Sequence, residues 1–234
     1  MIHPTSPFAV LWDLDGVLVD SAPYHQRAWE ETFAEEGVRL DEACFRHTFG
    51  WRNDAIVAYV MGPEVSPERS AAIGEVKESR YRALVAREGI SPLPGTMEWL
   101  NRLHGRGVPQ AIVSSAPLSN VSAVLAALGF THLFQAIVSA EDVRRGKPDP
   151  EVFLLAARRL GMSPQRCIVV EDAPAGVEGA RRAGMRCLAL GTTHPHQDLS
   201  AADLVVDSLS NLAPDAFDHL LAVWRVTSRR PLRL

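Results

Sequence analysis

The chain has 234 residues, 47% hydrophobic and 22% charged, which admits one globular domain or one domain carrying an insertion. A net charge of −4, with no basic block apart from Arg229, Arg230 and Arg233, argues against nucleic acid as a partner. No apolar run approaches the roughly 20 residues that span a bilayer, the first residues lack a signal peptide's basic and apolar stretches, and Cys44, Cys167 and Cys187 have no metal-like spacing, so a cytoplasmic chain with reduced thiols and no membrane contact is expected.

The first element is the apolar run "FAVLWDLDGVLVDS", residues 8–21, which reads as a buried strand yet ends in Asp13 and Asp15, with Gly16 directly after. Carboxylates in a core cost free energy unless they are paired or bind a metal. Residues 23–91 then hold four helical patterns with no strand between them, "YHQRAWEETFAEEG", "DEACFRHTFG", "WRNDAIVAYVMG" and "PERSAAIGEVKESRYRALVAREG". They read as an inserted all-α lobe, with hinges near Ser21 to Pro23 and Ser91 to Gly95, where Pro and Gly punctuate the chain. From residue 92 strands alternate with helices: "VPQAIVSS", "FQAIVSA", "RCIVVED", "MRCLAL" and "ADLVVDS" are the strands, and a last helix covers roughly 213–226. That alternation predicts an α/β fold, a Rossmann-like doubly wound parallel sheet, built from residues 1–22 and 92–234.

Ligands of such sheets bind outside the carboxyl ends of the strands, and the reactive side chains fall there. Asp13 and Asp15 follow the first strand, Ser114 and Ser115 end "AIVSS", and Glu171 and Asp172 end "CIVVED". Lys147 precedes a helix that Asp149 is placed to cap, with Pro150 in its first position. Clustered carboxylates repel one another unless a cation sits among them, and Asp and Glu oxygens without His or Cys suit Mg2+. A metal and a lysine would bind a phosphate, one ionised Asp facing the phosphorus as a nucleophile and a second exchanging protons with the leaving oxygen and water. A calcium loop is excluded because its twelfth position, counted from Asp13, is Tyr24 rather than Glu. Ser114 lacks the G-x-S-x-G elbow of a serine hydrolase, and His194 and His196 in "THPHQD" read as loop residues.

In the order of these motifs the chain resembles the haloacid dehalogenase superfamily, in the branch of β-phosphoglucomutase and the small sugar- and polyol-phosphate phosphatases. "DLDGVLVDS" resembles the first motif, which implies Asp13 as a nucleophile forming an aspartyl-phosphate. It also implies Asp15 as general acid/base, with its backbone carbonyl on Mg2+. The resemblance implies Ser114 as a phosphate donor, Lys147 as the neutralising lysine, and Glu171 and Asp172, with Asp13, as the acids around Mg2+. Residues 23–91 resemble the helical cap. Arg52 in "FGWRNDA", Lys77 in "KESRY" and His25 in "DSAPYHQRAW" resemble substrate-facing or hinge residues of that cap, and Ser115 and Asn120 fall in the phosphate shell. Pro117-Leu118 stands where β-phosphoglucomutase has Lys-Asn, which weakens a mutase reading, because a mutase must anchor both ends of a bisphosphate. The implied activity is a Mg2+-dependent phosphoric monoester hydrolase acting, as a monomer, on a small phosphorylated metabolite. A sugar-phosphate mutase and a non-catalytic phospholigand-binding module are the alternatives.

Overall fold

The computed structural model describes residues 6–227; the first five residues and the arginines at 229, 230 and 233 lie outside that range. Among the described residues six parallel strands form one sheet: β1 (Ala9–Trp12), β2 (Gln110–Val113), β3 (Ala136–Val138), β4 (Cys167–Glu171), β5 (Arg186–Leu190) and β6 (Leu204–Val206). Their order is β3-β2-β1-β4-β5-β6, so the doubly wound expectation holds. The chain lays β1, β2 and β3 outwards in one direction, then returns to build β4, β5 and β6 on the other side of β1. Strand order therefore reverses between β1 and β4, the place where such sheets open a crevice.

β1 is central, and both of its faces are covered. Val10 and Trp12 pack among residues of α5 (Thr96–Gly105), α6 (Leu118–Leu128) and α9 (Ala216–Thr227). Ala9 and Leu11 face α7 (Glu151–Arg159) and α8 (Pro174–Arg182). The two-residue period of a strand thus divides one apolar run between two cores, each large side chain contributing about 1.5–3 kcal/mol of burial free energy. The Trp12 indole stays satisfied by donating to Gln110 Oε1 at 3.0 Å.

Between β1 and α5 lie α1 (Ala22–Glu35), α2 (Glu42–Thr48), α3 (Asn53–Met61) and α4 (Pro67–Glu88). Asp41 caps α2 by accepting from Cys44 N–H, and Ser66 caps α4 by accepting from Arg69 N–H, with Pro67 in the first turn. Trp29, Phe33, Phe45, Phe49, Ile56 and Val57 give these helices an apolar cluster of their own. The separation is incomplete, however. The second half of α4 turns Tyr81, Leu84 and Val85 into the core of the sheet. The two chain crossings also touch, since Leu93 N–H donates to Leu18 O at 3.0 Å and Val19 bridges Pro92.

Two element boundaries differ from expectation. The last helix starts at Ala216 rather than near 213, because Pro214 disfavours helical backbone at the residue before it. Helix α7 starts at Glu151 rather than Pro150, but Asp149 caps it as expected, its Oδ1 accepting from Glu151 N–H at 3.0 Å. No helix among the described residues is long and apolar enough to cross a membrane.

Candidate active site

The pairing of Trp12 with both Ile112 and Val170 sets the ends of β1, β2 and β4 side by side. Asp13 leaves β1 with its N–H on Val170 O, and Ser114 leaves β2 with its N–H on Val138 O, both at 2.9 Å. The site is thus carried by extended backbone whose own polar groups are satisfied. Gly16 turns the chain away at φ 77°, and a Cβ there would stand 2.1 Å from Asp172 Oδ2. Gly176, at the start of α8, leaves room in the same way for the Glu171 carboxylate, which a Cβ would meet at 1.9 Å.

Carboxylate oxygens of Asp13, Glu171 and Asp172 lie within 4.8 Å of one another, and all three residues are buried. Lys147 Nζ donates to Asp13 Oδ1 at 2.6 Å and to Val113 O at 3.2 Å, and lies 2.5 Å from Glu171 Oε1. Burial would strip the proton from this ammonium, but Asp13 and Glu171 outweigh it and hold its pKa above the ordinary lysine value. Burial, opposed by Lys147 and reinforced by Glu171 and Asp15, pushes the Asp13 carboxyl up to about 8. Asp172 is driven well above the ordinary carboxylate value by burial, then by Asp13 and Glu171. With all three acids ionised, one lysine would leave two negative charges uncompensated in a place of low dielectric, which the raised pKa values resist and a hard divalent cation on this oxygen-only donor set would relieve.

Asp15 is turned elsewhere. Its Oδ1 accepts from Ser21 Oγ–H at 2.5 Å and lies 3.2 Å from His25 Nε2. Burial alone would raise its pKa, yet His25 and then Ser21 bring it below the ordinary value. The sequence-derived metal set is therefore divided: the side chains of Asp13, Glu171 and Asp172 cluster, whereas Asp15 has only its backbone carbonyl to offer. Ser114 is buried, and its Oγ accepts from Ala116 N–H at 3.0 Å, which leaves its own proton free to donate. Ser115 lines the same crevice.

The residues on the inserted helices arrive differently. Lys77 is buried, with Nζ 2.8 Å from His25 Nδ1 and 2.9 Å from Glu78 Oε1. With Asp15, Trp29, Phe49 and Trp51, these groups enclose a cavity of about 40 Å³, which admits water and no sugar. Arg52 does not point at Asp13. Its guanidinium donates to Ala140 O at 3.1 Å and Val143 O at 3.4 Å, closing the start of α3 against the loop that leads to Lys147. The Asn120 amide is engaged away from the carboxylate cluster, by Glu78 and Arg82. A roomier cleft of about 550 Å³ opens beside Ser115, where Arg52 is the one cation among the described lining residues, against Asp54, Glu75, Glu78 and Glu141.

Thr193, just past β5, also belongs to the site, because its hydroxyl donates to Asp172 Oδ2. The strand-end rule that selects Ser114 would have selected it too. His194 Nδ1 lies 3.1 Å from Asp172 O and His196 pairs with Asp207, so these histidines are occupied in the loop.

A family model described as haloacid dehalogenase-like hydrolase matches residues 9–184. The chain is 34% identical over 204 residues to validoxylamine A 7'-phosphate phosphatase of Streptomyces hygroscopicus subsp. limoneus, covering 86% of this chain and 94% of that protein. It is 36% identical over 205 residues to hexitol phosphatase A of Escherichia coli K12, covering 86% and 91%. The crystal structure of a β-phosphoglucomutase from Clostridium difficile superposes with a TM-score of 0.84 at 28% identity, over 97% of this chain and all of that one.

Proposed function

The chain belongs to the haloacid dehalogenase-like hydrolases, and from that premise we propose that it is a Mg2+-dependent phosphatase of a small sugar or polyol monophosphate, working through an aspartyl-phosphate. The observation that carries this reading is the buried group of Asp13, Glu171, Asp172 and Lys147 at the reversal point of the sheet. Mg2+ held by Asp13, Asp172, Glu171 and the Asp15 carbonyl would draw charge from the phosphoryl oxygens. Lys147, Ser114 and Ser115 hold the phosphate. A carboxylate oxygen of Asp13 attacks phosphorus while Asp15, protonated, released from Ser21 and still beside His25, gives its proton to the departing oxygen. Asp15 then takes a proton from water, which attacks the phosphorus and releases phosphate and Asp13.

Residues 23–91 act in this reading as a cap over a core of residues 1–22 and 92–234. The 40 Å³ cavity is too small for the organic part of a substrate, so the cap must open to admit it. Hydrolysis is favoured over mutase chemistry by the larger cleft, which among its described lining residues offers a second phosphate the single cation Arg52, itself beside Asp54, and by Pro117-Leu118. A panel of phosphorylated sugars and polyols, assayed with Mg2+, tests the choice. Phosphate release equal to substrate consumed is expected, and isomerised sugar phosphate without phosphate release would contradict it.

The metal should be visible in stability. Asp13 has a folded-state pKa raised to about 8 against 3.8 for the free group, so its protonated form stabilises the fold at low pH. That contribution is lost as pH climbs from about 4 through 8. Metal-free protein should therefore melt at progressively lower temperature over that range, and Mg2+ should raise Tm more at pH 8 than at pH 6. A Mg2+ effect on Tm that is absent, or equal at both pH values, would remove the cation from this cluster.

Arg52→Ala should lower kcat/KM for the preferred metabolite by about tenfold or more, the scale of one lost charge-assisted hydrogen bond. Hydrolysis of p-nitrophenyl phosphate, which gives the cap little to hold, should fall much less. Equal losses on both substrates would take Arg52 out of substrate selection.

A further inference from the structure

One buried charge lies outside this chemistry. Glu78, on α4, is 2% exposed, and its carboxylate is met by donors from three helices. Lys77 Nζ and Asn53 Nδ2 of α3 reach Oε1 at 2.9 and 2.8 Å, and Asn120 Nδ2 of α6 donates to Oε2. Arg82 Nη1 in turn holds the Asn120 oxygen at 3.0 Å, which fixes the amide with its nitrogen towards Glu78. Although Glu78 borders both the small cavity and the larger cleft, its carboxylate oxygens are taken up by these donors rather than turned to solvent. Its near neighbours are Lys77, His25 and, through them, Asp15.

We propose that Glu78 is a positioning residue for Asp15: by pairing with Lys77 it dictates which nitrogen of His25 carries the proton that faces the acid/base. The inference rests on the phosphatase reading, in which Asp15 handles protons. Lys77 is 3% exposed, and burial favours a neutral amine over an ammonium, against the attraction of the Trp29 and Tyr81 ring faces 5.2 and 5.7 Å away. Glu78 is the counter-charge that keeps it an ammonium. An ammonium has donors only, so the group 2.8 Å from His25 Nδ1 must give that nitrogen a proton in a hydrogen bond. Nδ1 is then the acceptor, and the ring hydrogen sits on Nε2, 3.2 Å from Asp15 Oδ1. Tyr81, stacked on the imidazole at 4.0 Å between centroids, stops the ring from turning over. Without Glu78, Lys77 becomes an amine able to accept, and His25 is free to place its proton on Nδ1 and offer Asp15 a lone pair.

Imidazole nitrogen shifts of 15N-histidine protein report the tautomer directly, without substrate, so the result stands apart from the success or failure of the phosphatase assay. In the wild type at neutral pH His25 should show an unprotonated Nδ1 and a protonated Nε2. Glu78→Gln, which keeps shape and loses charge, should mix or reverse that pattern and lower kcat about tenfold or more, with KM changed less than about threefold. Lys77→Met should reproduce the tautomer change. The double variant should be no slower than the worse single one, as expected of residues in one chain of contacts. A wild-type His25 protonated on Nδ1, or a Glu78→Gln protein with the wild-type tautomer, would overturn the proposal. If Glu78→Gln does not fold, the wild-type spectrum and Lys77→Met decide it.

Discussion

Asp13→Asn should abolish turnover and phosphoenzyme formation while yielding a protein that melts higher than the wild type when metal is absent. Activity falls because an amide is a poor nucleophile, and no other side chain in the crevice replaces it: Asp15 is held by Ser21 and His25, and Glu171 by Lys147 and the N–H groups of Asp172 and Ala173. The fold survives because the Asn oxygen can still accept from Lys147 Nζ, 2.6 Å from Oδ1 in the native site. Stability rises because the substitution removes one of three buried acids that repel one another. Since Asp13 titrates near 8 in the folded chain, the gain should be large at pH 8 and small near pH 4. Calorimetry at two pH values and a phosphate-release assay check both halves. Substantial turnover by Asp13→Asn would refute the mechanism, and a lower Tm at pH 8 would refute the electrostatics.

Asp15→Asn should cost about 100- to 10,000-fold in kcat, the range of a lost general acid–base group. Asn presents the same oxygen to Ser21 and His25, so neither fold nor substrate affinity should change much. Both halves of the reaction slow, and the second more visibly, because the aspartyl-phosphate waits for water that nothing deprotonates. Rapid quench should show phosphoenzyme accumulating on a substrate with a good leaving group, which needs little protonation in the first half. A drop in kcat below about tenfold would leave Asp15 with a structural role only.

The gathering of these side chains at one edge of the sheet was legible because each sits where a strand must end. Asp13, Ser114, Glu171 and Asp172 each follow an apolar run too uniform to be anything but a buried strand, and parallel strands bring their carboxyl ends to one edge. Thr193 obeys the same logic after β5 and needed no further signal. Glu78 was not legible. On a helix rich in charged residues it reads as solvated, and it is buried because α3 sets Asn53 and α6, some 40 residues on in the chain, sets Asn120 against it. Arg52 and Asn120 show the same limit, because pattern places a side chain on an element but not the partner that captures it. The α4 pattern likewise concealed that one helix serves two apolar clusters, Ile73 in that of the inserted helices and Tyr81, Leu84 and Val85 in that of the sheet.

The central claim is that Asp13 becomes phosphorylated, and mass spectrometry of acid-quenched enzyme measures this directly. Wild-type and Asp15→Asn protein, mixed with Mg2+ and a turned-over sugar or polyol phosphate, should each carry one added phosphoryl group on the peptide containing Asp13. Borohydride reduction should convert that residue to homoserine, and Asp13→Asn should show neither change. Phosphate release by the wild type, with no phosphoryl group trapped on Asp13 even in the Asp15→Asn protein, would contradict the account.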